Sequence, residues 1–220
     1  MRLPISLALG VAAVGALALA APIREELADR RVCLRDSAEM TFYPSGQFLR
    51  EASLGHRQLV ADFGWLAAIQ YYGKHRRSDH RYPLSPKLFS VILDADPRFE
   101  RAYLFASLIL AEAGFTARAE RMLRRGVQAN PGSWRLRFEL GFFHYVISRN
   151  WEKAARAFSA AAEAPGAPAM VRRFAAAAHQ KAGDRDTARE LWEIVARVTD
   201  NPEIRRMAEE RLAKLAEEGR

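Results

Sequence analysis

Five histidines and one cysteine are the residues of this chain best suited to catalysis or metal binding. A nucleophile needs a base beside it, and a zinc site needs ligands at short, regular spacing. His75 and His80 are the closest two histidines, in a polar segment without a nearby cysteine or pair of acids, and Cys33 has no second cysteine to bond with. A phosphate-binding glycine loop, H-E-x-x-H and G-x-S-x-G do not occur in the sequence. We therefore expect no catalytic, cofactor or metal site, and a structural or surface role for His56, His75, His80, His144 and His179.

The composition is that of a folded, basic protein. Of the 220 residues, 50% are hydrophobic and 27% are charged, which argues against disorder. The net charge of +8 comes mainly from arginine. A positive charge of this kind favours acidic protein surfaces, anionic lipid headgroups or nucleic acid as partners.

The N-terminal segment from Leu3 to Ile23 contains no charged residue. Its length is close to what a helix needs to cross a bilayer, so residues 1–23 are either a signal peptide or a transmembrane anchor. Ala18-Leu19-Ala20 before Ala21 has the form of a cleavage site and favours export. The positive charges that follow the segment favour the opposite orientation. We expect export, with the protein either anchored in the inner membrane and facing the periplasm or, after cleavage, free in the periplasm.

Residues 24–95 divide into two regions. Residues 24–46 are polar, end in the turn signal Tyr43-Pro44-Ser45-Gly46, and are expected to form a juxtamembrane stalk or linker. Residues 47–95 begin with a helical pattern between Phe48 and Tyr72, which Gly55 interrupts, so that one kinked helix or two are expected. A basic segment, 74–81, is expected to be a solvated loop.

A fixed interval organises the remainder. Pro97, Pro131 and Pro165 stand 34 residues apart, and the same interval separates Pro168 from Pro202. Aspartate or asparagine before a proline suits the N-cap and first position of a helix, which predicts helices that start at Asp96-Pro97, Asn130-Pro131 and Asn201-Pro202. A period of this length is typical of stacked helix–turn–helix units.

Three predicted second helices carry an alanine followed four residues later by a large side chain: Ala119 and Leu123, Ala154 and Phe158, Ala188 and Trp192. Together with Leu140-Gly141, these pairs resemble the tetratricopeptide repeat family from residue 96 onward. The resemblance implies an all-α fold: a TPR-like α-solenoid over 96–201 with a capping helix at 202–220, and a degenerate repeat within 47–95. The expected helices are 97–112, 116–128, 131–148, 151–163, 167–182, 185–198 and 202–217.

The resemblance also implies a binding face. In this family the first helix of each pair lines the face that contacts the partner, and the corresponding positions here are Arg101, Leu104, Leu108, Ala111, Arg135, Phe138, Phe142, Tyr145, Met170, Arg173, Ala177 and Gln180. Phe138, Phe142 and Tyr145 form a second apolar stripe on their helix, because another stripe already serves for packing. The expected partner site is an aromatic floor edged by arginines: Arg101, Arg135, Phe138, Phe142, Tyr145 and Arg173. In the alternative, the helix over 48–72 folds across this floor and buries it.

The sequence thus predicts a non-enzymatic scaffold or assembly factor of the cell envelope that binds protein partners, a membrane or envelope complex among them. The alternative is a cytosol-facing, membrane-anchored adaptor that contacts anionic lipid or RNA through its arginines. Seven arginines lie between Arg101 and Arg137, against only Glu112 and Glu120 as acids. We expect them to form a solvated face rather than a nucleic-acid site, because an exported protein meets little nucleic acid.

Overall fold

A computed structural model of the chain describes residues 45–217, which belong to one compact unit, Ser45–Arg220. The expected signal peptide or anchor at 1–23 and most of the expected stalk at 24–46 lie outside the described residues. Within 45–217 the secondary structure is helical throughout, without a β-strand. No helix of this range is both long and apolar enough to cross a membrane.

The helices follow one another with short connections. They are α1 (Gly46–Ala52), α2 (Arg57–Arg76), α3 (Ser85–Ala95), α4 (Glu100–Glu112), α5 (Thr116–Ala129), α6 (Trp134–Phe142), α7 (Trp151–Ala162), α8 (Met170–Ala182), α9 (Arg185–Val198) and α10 (Pro202–Glu217). A π-helical segment, Phe143–Ile147, continues α6.

Each helix packs against its neighbours in sequence, which produces a stack of helix pairs. The pairs are α2 with α3, α4 with α5, α6 with α7, and α8 with α9, and α10 follows as the last layer. We call the earlier member of each pair its first helix and the later member its second helix. The described chain is therefore an all-α, tetratricopeptide-like stack, as the 34-residue period predicts. Because α2 and α3 form a pair, the stack starts before Pro97, where the 34-residue spacing begins.

Two of the three predicted Pro-containing helix starts are wrong. Asp96 and Asn130 end the preceding helices α3 and α5, because their backbone N–H groups still donate to Ile92 and Gly126. α4 and α6 begin three residues after Pro97 and Pro131, and Ser133 caps α6 by accepting a hydrogen bond from the Leu136 N–H at 3.2 Å. Asn201 does act as predicted, since its Oδ1 accepts from the N–H groups of Glu203 and Ile204.

The helix pattern between Phe48 and Tyr72 resolves into two helices. Leu54 and Gly55 both adopt positive φ angles, 47° and 95°, so the chain turns sharply between α1 and α2. α2 then continues to Arg76, which places Lys74 and His75 on a helix. The expectation of a solvated loop over 74–81 is therefore wrong for its first residues. His75 is only 2% exposed, and its Nδ1 lies 2.7 Å from Asp79 Oδ1.

The predicted alanine pairs form the core of the stack. Ala119, Ala154 and Ala188 are fully buried, and the large residue one turn later in each helix is buried beside them. Small residues let helices approach closely, and the large side chains fill the space between layers. Gly141 shows how close this approach is, because a Cβ at this position would meet the Phe158 ring at 2.7 Å.

The last helix separates its apolar and charged residues. Ala208 and Leu215 are buried, and Ile204, Met207 and Leu212 pack beside them on α9. The opposite side of α10 carries exposed charges such as Glu209 and Arg206. This polar outer face is what the end of an open helical stack needs for solubility.

Candidate functional site

A cleft of ≈ 270 Å³ opens on the side of the stack formed by the first helices of the C-terminal half. We call it the first-helix cleft. The π-helical segment, α8 and α10 contribute to it, and the second helix α9 supplies one residue from below. Its lining residues are Tyr145, Arg173, Phe174, Ala177, Trp192, Met207 and Arg211.

The floor of the first-helix cleft rests on a cluster of aromatic rings. Phe138 lies edge-on to Phe174, with ring centroids 5.0 Å apart, and Phe158 lies 5.5 Å from Phe174. Tyr145 joins the cluster through Phe158, at 6.3 Å, and also contacts Trp151 at 5.1 Å. These contacts fix the apolar walls, because tilted and edge-on rings at such distances attract one another.

Positive charges surround this apolar surface. Arg173 on α8 and Arg211 on α10 both line the cleft, and neither forms an ion pair with a carboxylate of the described chain. Lys181 places its Nζ 5.6 Å from the Tyr145 ring centroid and 4.7 Å from that of Trp151. This stacking keeps a third cation near the rim. The cleft therefore combines an apolar floor with a positive edge.

Trp192 adds an unpaired hydrogen-bond donor. Its side chain is 3% exposed, and its indole N–H has no acceptor within residues 45–217. Buried N–H groups almost always find a partner, because leaving one unpaired costs about 1–3 kcal/mol. Trp192 also lines the cleft, but its indole nitrogen is enclosed and does not reach the cleft surface.

The sequence-predicted partner residues separate into two groups. Phe138, Tyr145 and Arg173 meet around Phe174, and Phe142 stacks on Phe138 at 6.5 Å with 40% of its surface exposed. α2 does not cover these rings. Its own rings pack instead on α4 and the segment before it, with Trp65 5.3 Å from Phe105 and 5.5 Å from Phe99.

The other two predicted residues lie elsewhere. Arg101 is exposed on α4. Arg135 stacks on Trp134 at 5.0 Å, lies 4.0 Å from Glu100, and lines a different surface cleft with both of them. Arg135 and Arg173 therefore line two different clefts, and Arg101 lines neither of them.

Sequence reasoning missed several residues of the first-helix cleft. Met207 and Arg211 were assigned only to the capping helix, and Trp192 only to the packing position of its alanine pair. Phe174 carries no repeat signature, since the family positions selected its neighbours Arg173 and Ala177 instead. The sequence of 202–217 did contain a signal for two of them. Met207 and Arg211 are four residues apart, so they lie one turn apart on the same face of this helix.

Ser159, His179 and Asp184 form a hydrogen-bonded chain that the sequence did not suggest. Ser159 Oγ lies 3.0 Å from His179 Nε2, and His179 Nδ1 lies 2.8 Å from Asp184 Oδ2. This order is also that of a serine hydrolase triad. Ser159 sits inside α7, however, where neighbouring backbone N–H groups donate along the helix and cannot stabilise an oxyanion. These two hydrogen bonds therefore join α7, α8 and the turn before α9.

The arginines of α5 are exposed and partly paired. Arg124 donates two hydrogen bonds to Glu120 Oε1, at 2.7 and 2.9 Å, and Arg125 donates one to Asp94 Oδ1 at 2.8 Å. Arg118 stacks on Phe115 at 5.1 Å. Residues 45–217 contain no group of three or more His, Cys, Asp or Glu side chains placed to hold a metal ion.

Comparisons with known proteins give matches in structure only. No protein-family model matches the chain. No curated protein matches its sequence. One crystal structure of MamA is similar at a TM-score of 0.41 and 17% identity, over 60% of this chain and 87% of its own. A second, of the MamA protein, is similar at a TM-score of 0.47 and 17% identity, over 74% of this chain and 92% of its own.

Proposed function

We propose that this chain is a non-enzymatic protein-interaction scaffold that binds an acidic peptide segment of a partner in the first-helix cleft. The observation that carries this proposal is the combination of an apolar floor with two arginines that form no ion pair within residues 45–217. Binding sites typically join apolar surface to a few polar groups that fix orientation.

Each component of the cleft corresponds to a feature of the ligand. An apolar or aromatic side chain packs on Phe174, Ala177 and Met207. Carboxylates of the same segment pair with Arg173 and Arg211, whose planar guanidinium groups suit bidentate contact. The Trp192 ring adds further apolar surface to the lining of the cleft.

The surface extends beyond one side-chain pocket. A neighbouring cleft of ≈ 220 Å³ lies between α8, α9 and α10, and Arg173 lines both clefts. Met170, Val198 and Ile204 give this neighbour an apolar lining. A peptide that runs along α8 therefore contacts both clefts, with Arg173 between them, which favours a segment of several residues over an isolated side chain.

The proposed location is the cell envelope. The support for it is the uncharged run from Leu3 to Ile23 with its cleavage-like Ala18-Leu19-Ala20, so that the scaffold is either anchored to the inner membrane or released into the periplasm. Mass spectrometry of the mature N-terminus and cell fractionation test this. An unprocessed protein found only in the cytosol would contradict it, and a cytosol-facing membrane protein would support the adaptor alternative.

Selection from a displayed peptide library tests the ligand. We expect the full-length protein to enrich peptides that carry two or more acidic residues beside a large apolar one. Charge reversal by Arg173→Glu together with Arg211→Glu should reduce the affinity of those peptides by at least about tenfold, because each attractive charge contact is replaced by repulsion.

The control is Arg197→Glu, which makes one arginine-to-glutamate charge reversal at an exposed position of α9. Arg197 does not line the cleft. It should alter the affinity by less than about twofold, since exposed charges act mainly through a screened field. Equal loss of binding in the double variant and in Arg197→Glu would mean that net charge alone attracts the peptides, and would refute the site.

A further inference from the structure

A second cleft, on the side formed by the second helices, is dominated by basic residues. Its volume is ≈ 310 Å³, and it lies between α5, the π-helical segment and α7. We call it the basic cleft. Leu140 and Ala157 are its apolar residues, and the others are Arg124, His144, Lys153 and Arg156.

The π-helical segment places His144 in the basic cleft. The Ser148 N–H reaches back to the Phe143 carbonyl, and the Asn150 N–H donates to the His144 carbonyl at 2.9 Å, so the helix widens where it ends. π-Bulges occur frequently at functional sites because they redirect side chains. Here the result is a histidine that is 2% exposed and yet lines an open cleft.

One edge of the His144 ring is held and the other is available. Nδ1 lies 3.1 Å from Ser148 Oγ, which fixes the ring orientation. Nε2 lies 3.8 Å from Glu120 Oε1, beyond hydrogen-bond distance. Glu120 is itself occupied by its two hydrogen bonds from Arg124.

The charges around the ring favour an anion. Arg124, Lys153 and Arg156 contribute three permanent positive charges, against the carboxylate of Glu120. Burial holds the pKa of His144 below its ordinary value, and the three cations lower it further, while Glu120 opposes them. Arg156 also lies 3.9 Å from the exposed Glu152, a contact that solvent weakens.

We propose that the basic cleft binds a small dissolved oxyanion of the phosphate class, with Lys153 and Arg156 as its cationic contacts and the Nε2 edge of His144 as a hydrogen-bond donor. Phosphate offers oxygens to several donors at once, which suits groups arriving from three different elements. Only Leu140 and Ala157 give the basic cleft apolar surface, which favours a small charged ligand over a protein segment that would need apolar contacts.

Binding is linked to protonation of His144. A bound anion stabilises the imidazolium form, so it raises the pKa of His144 and a proton is taken up. The groups that face the ring are Glu120 and Arg124 from α5 and Lys153 and Arg156 from α7. Because His144 is neutral near neutral pH when no anion is bound, the affinity for a divalent oxyanion increases as the pH falls.

NMR titration of the full-length protein tests this inference. Inorganic phosphate should shift the ring resonances of His144, which the His144→Gln variant identifies, more than those of the other four histidines. Lys153→Ala with Arg156→Ala should weaken phosphate binding by at least about tenfold, since two charge-assisted contacts are lost. Sulfate, whose charge does not change, should bind more tightly at about pH 6 than at about pH 8.

Arg121→Ala serves as the control, because Arg121 is an exposed arginine of α5, the helix that also carries Arg124, and does not line the basic cleft. It should leave phosphate affinity within about twofold of the parent protein. Uniform shifts of all histidines, or equal weakening by Arg121→Ala and by the double variant, would refute the site. Binding only to vesicles of anionic phospholipid, with no response to phosphate, would refute a small dissolved ligand.

Discussion

First helices in the two halves of the described stack carry similar aromatic side chains and use them differently. In the N-terminal half, Trp65 and Tyr72 of α2 pack on Phe105 of α4, with ring centroids 5.3 and 5.1 Å away, so these rings become part of the core. In the C-terminal half, Tyr145 and Phe174 keep apolar surface open in the first-helix cleft.

The difference follows from what lies opposite each ring. α2 brings large aromatic side chains to α4 and fills the space between the two first helices. In the C-terminal half, Phe158 from a second helix fills the core, and the alanines of α7 and α8 bring those helices together without further bulk. An aromatic stripe on a first helix therefore becomes core only where the neighbouring first helix covers it.

Removal of Phe158 should have the largest effect. Phe158 is fully buried and contacts Phe138, Tyr145 and Phe174. We expect Phe158→Ala to lower the free energy of unfolding by about 3–5 kcal/mol, because a cavity is left in the core. Phe142→Ala, an aromatic truncation at the exposed edge of the same cluster, should cost about 1 kcal/mol or less. Equal costs in urea denaturation would contradict the division between core and open surface.

Truncation of Trp65 examines the N-terminal half directly. Trp65→Ala removes ring contacts with Phe99 and Phe105 and should cost about 2–4 kcal/mol. Tyr145→Ala should lower the free energy of unfolding, measured by urea denaturation, by a clearly smaller amount than Trp65→Ala. If Tyr145→Ala proves the more destabilising of the two, the first helices of the C-terminal half are core elements and the comparison fails.

Two helical glycines distinguish close packing from open surface. Gly141→Ala should lower the free energy of unfolding by about 1–3 kcal/mol, because its Cβ would meet the buried Phe158 ring at 2.7 Å. Gly73→Ala, on α2, meets no atom within 4 Å and should raise it by about 0.5–1 kcal/mol. The same sign for both variants in thermal denaturation would be evidence against the tight contact between α6 and α7.

The smallest expected effect concerns Asp184 and acid stability. Partial burial alone raises the pKa of Asp184, but hydrogen bonds from Thr187 and His179 outweigh it and hold the pKa below its ordinary value. The contribution of Asp184 to stability is therefore present above the unfolded-state pKa of about 3.9 and lost as the pH falls through the folded-state pKa. The difference in melting temperature between the parent protein and Asp184→Asn should narrow from about pH 6 to about pH 3. A constant difference would rule out this linkage.

The sequence predicts the fold well, because its signals are local and repeated. Ala154 with Phe158 and Ala188 with Trp192 mark positions where two helices must approach, and the structure buries all four. The helix starts at Asp96 and Asn130 were wrong because residues that cap a following helix also suit the end of a preceding one.

The candidate site was predicted only in part, because it depends on distances between elements. Phe138, Tyr145 and Arg173 occupy periodic positions and meet around Phe174. Arg135 instead stacks on Trp134 and lies near Glu100. Arg211 and Trp192 come from elements that the pattern assigned to other roles. The π-helical turn that places His144 in the basic cleft has no periodic signal.

The indole N–H of Trp192 gives the most direct test of the proposed binding site. On addition of a selected acidic peptide to the full-length protein, its ¹H–¹⁵N resonance should move because the peptide covers the Trp192 ring, whereas the indole resonance of Trp65 in the N-terminal half should not move. The shift should disappear in the Arg173→Glu, Arg211→Glu variant. A peptide that binds with unchanged affinity and leaves the Trp192 resonance in place would contradict binding in the first-helix cleft.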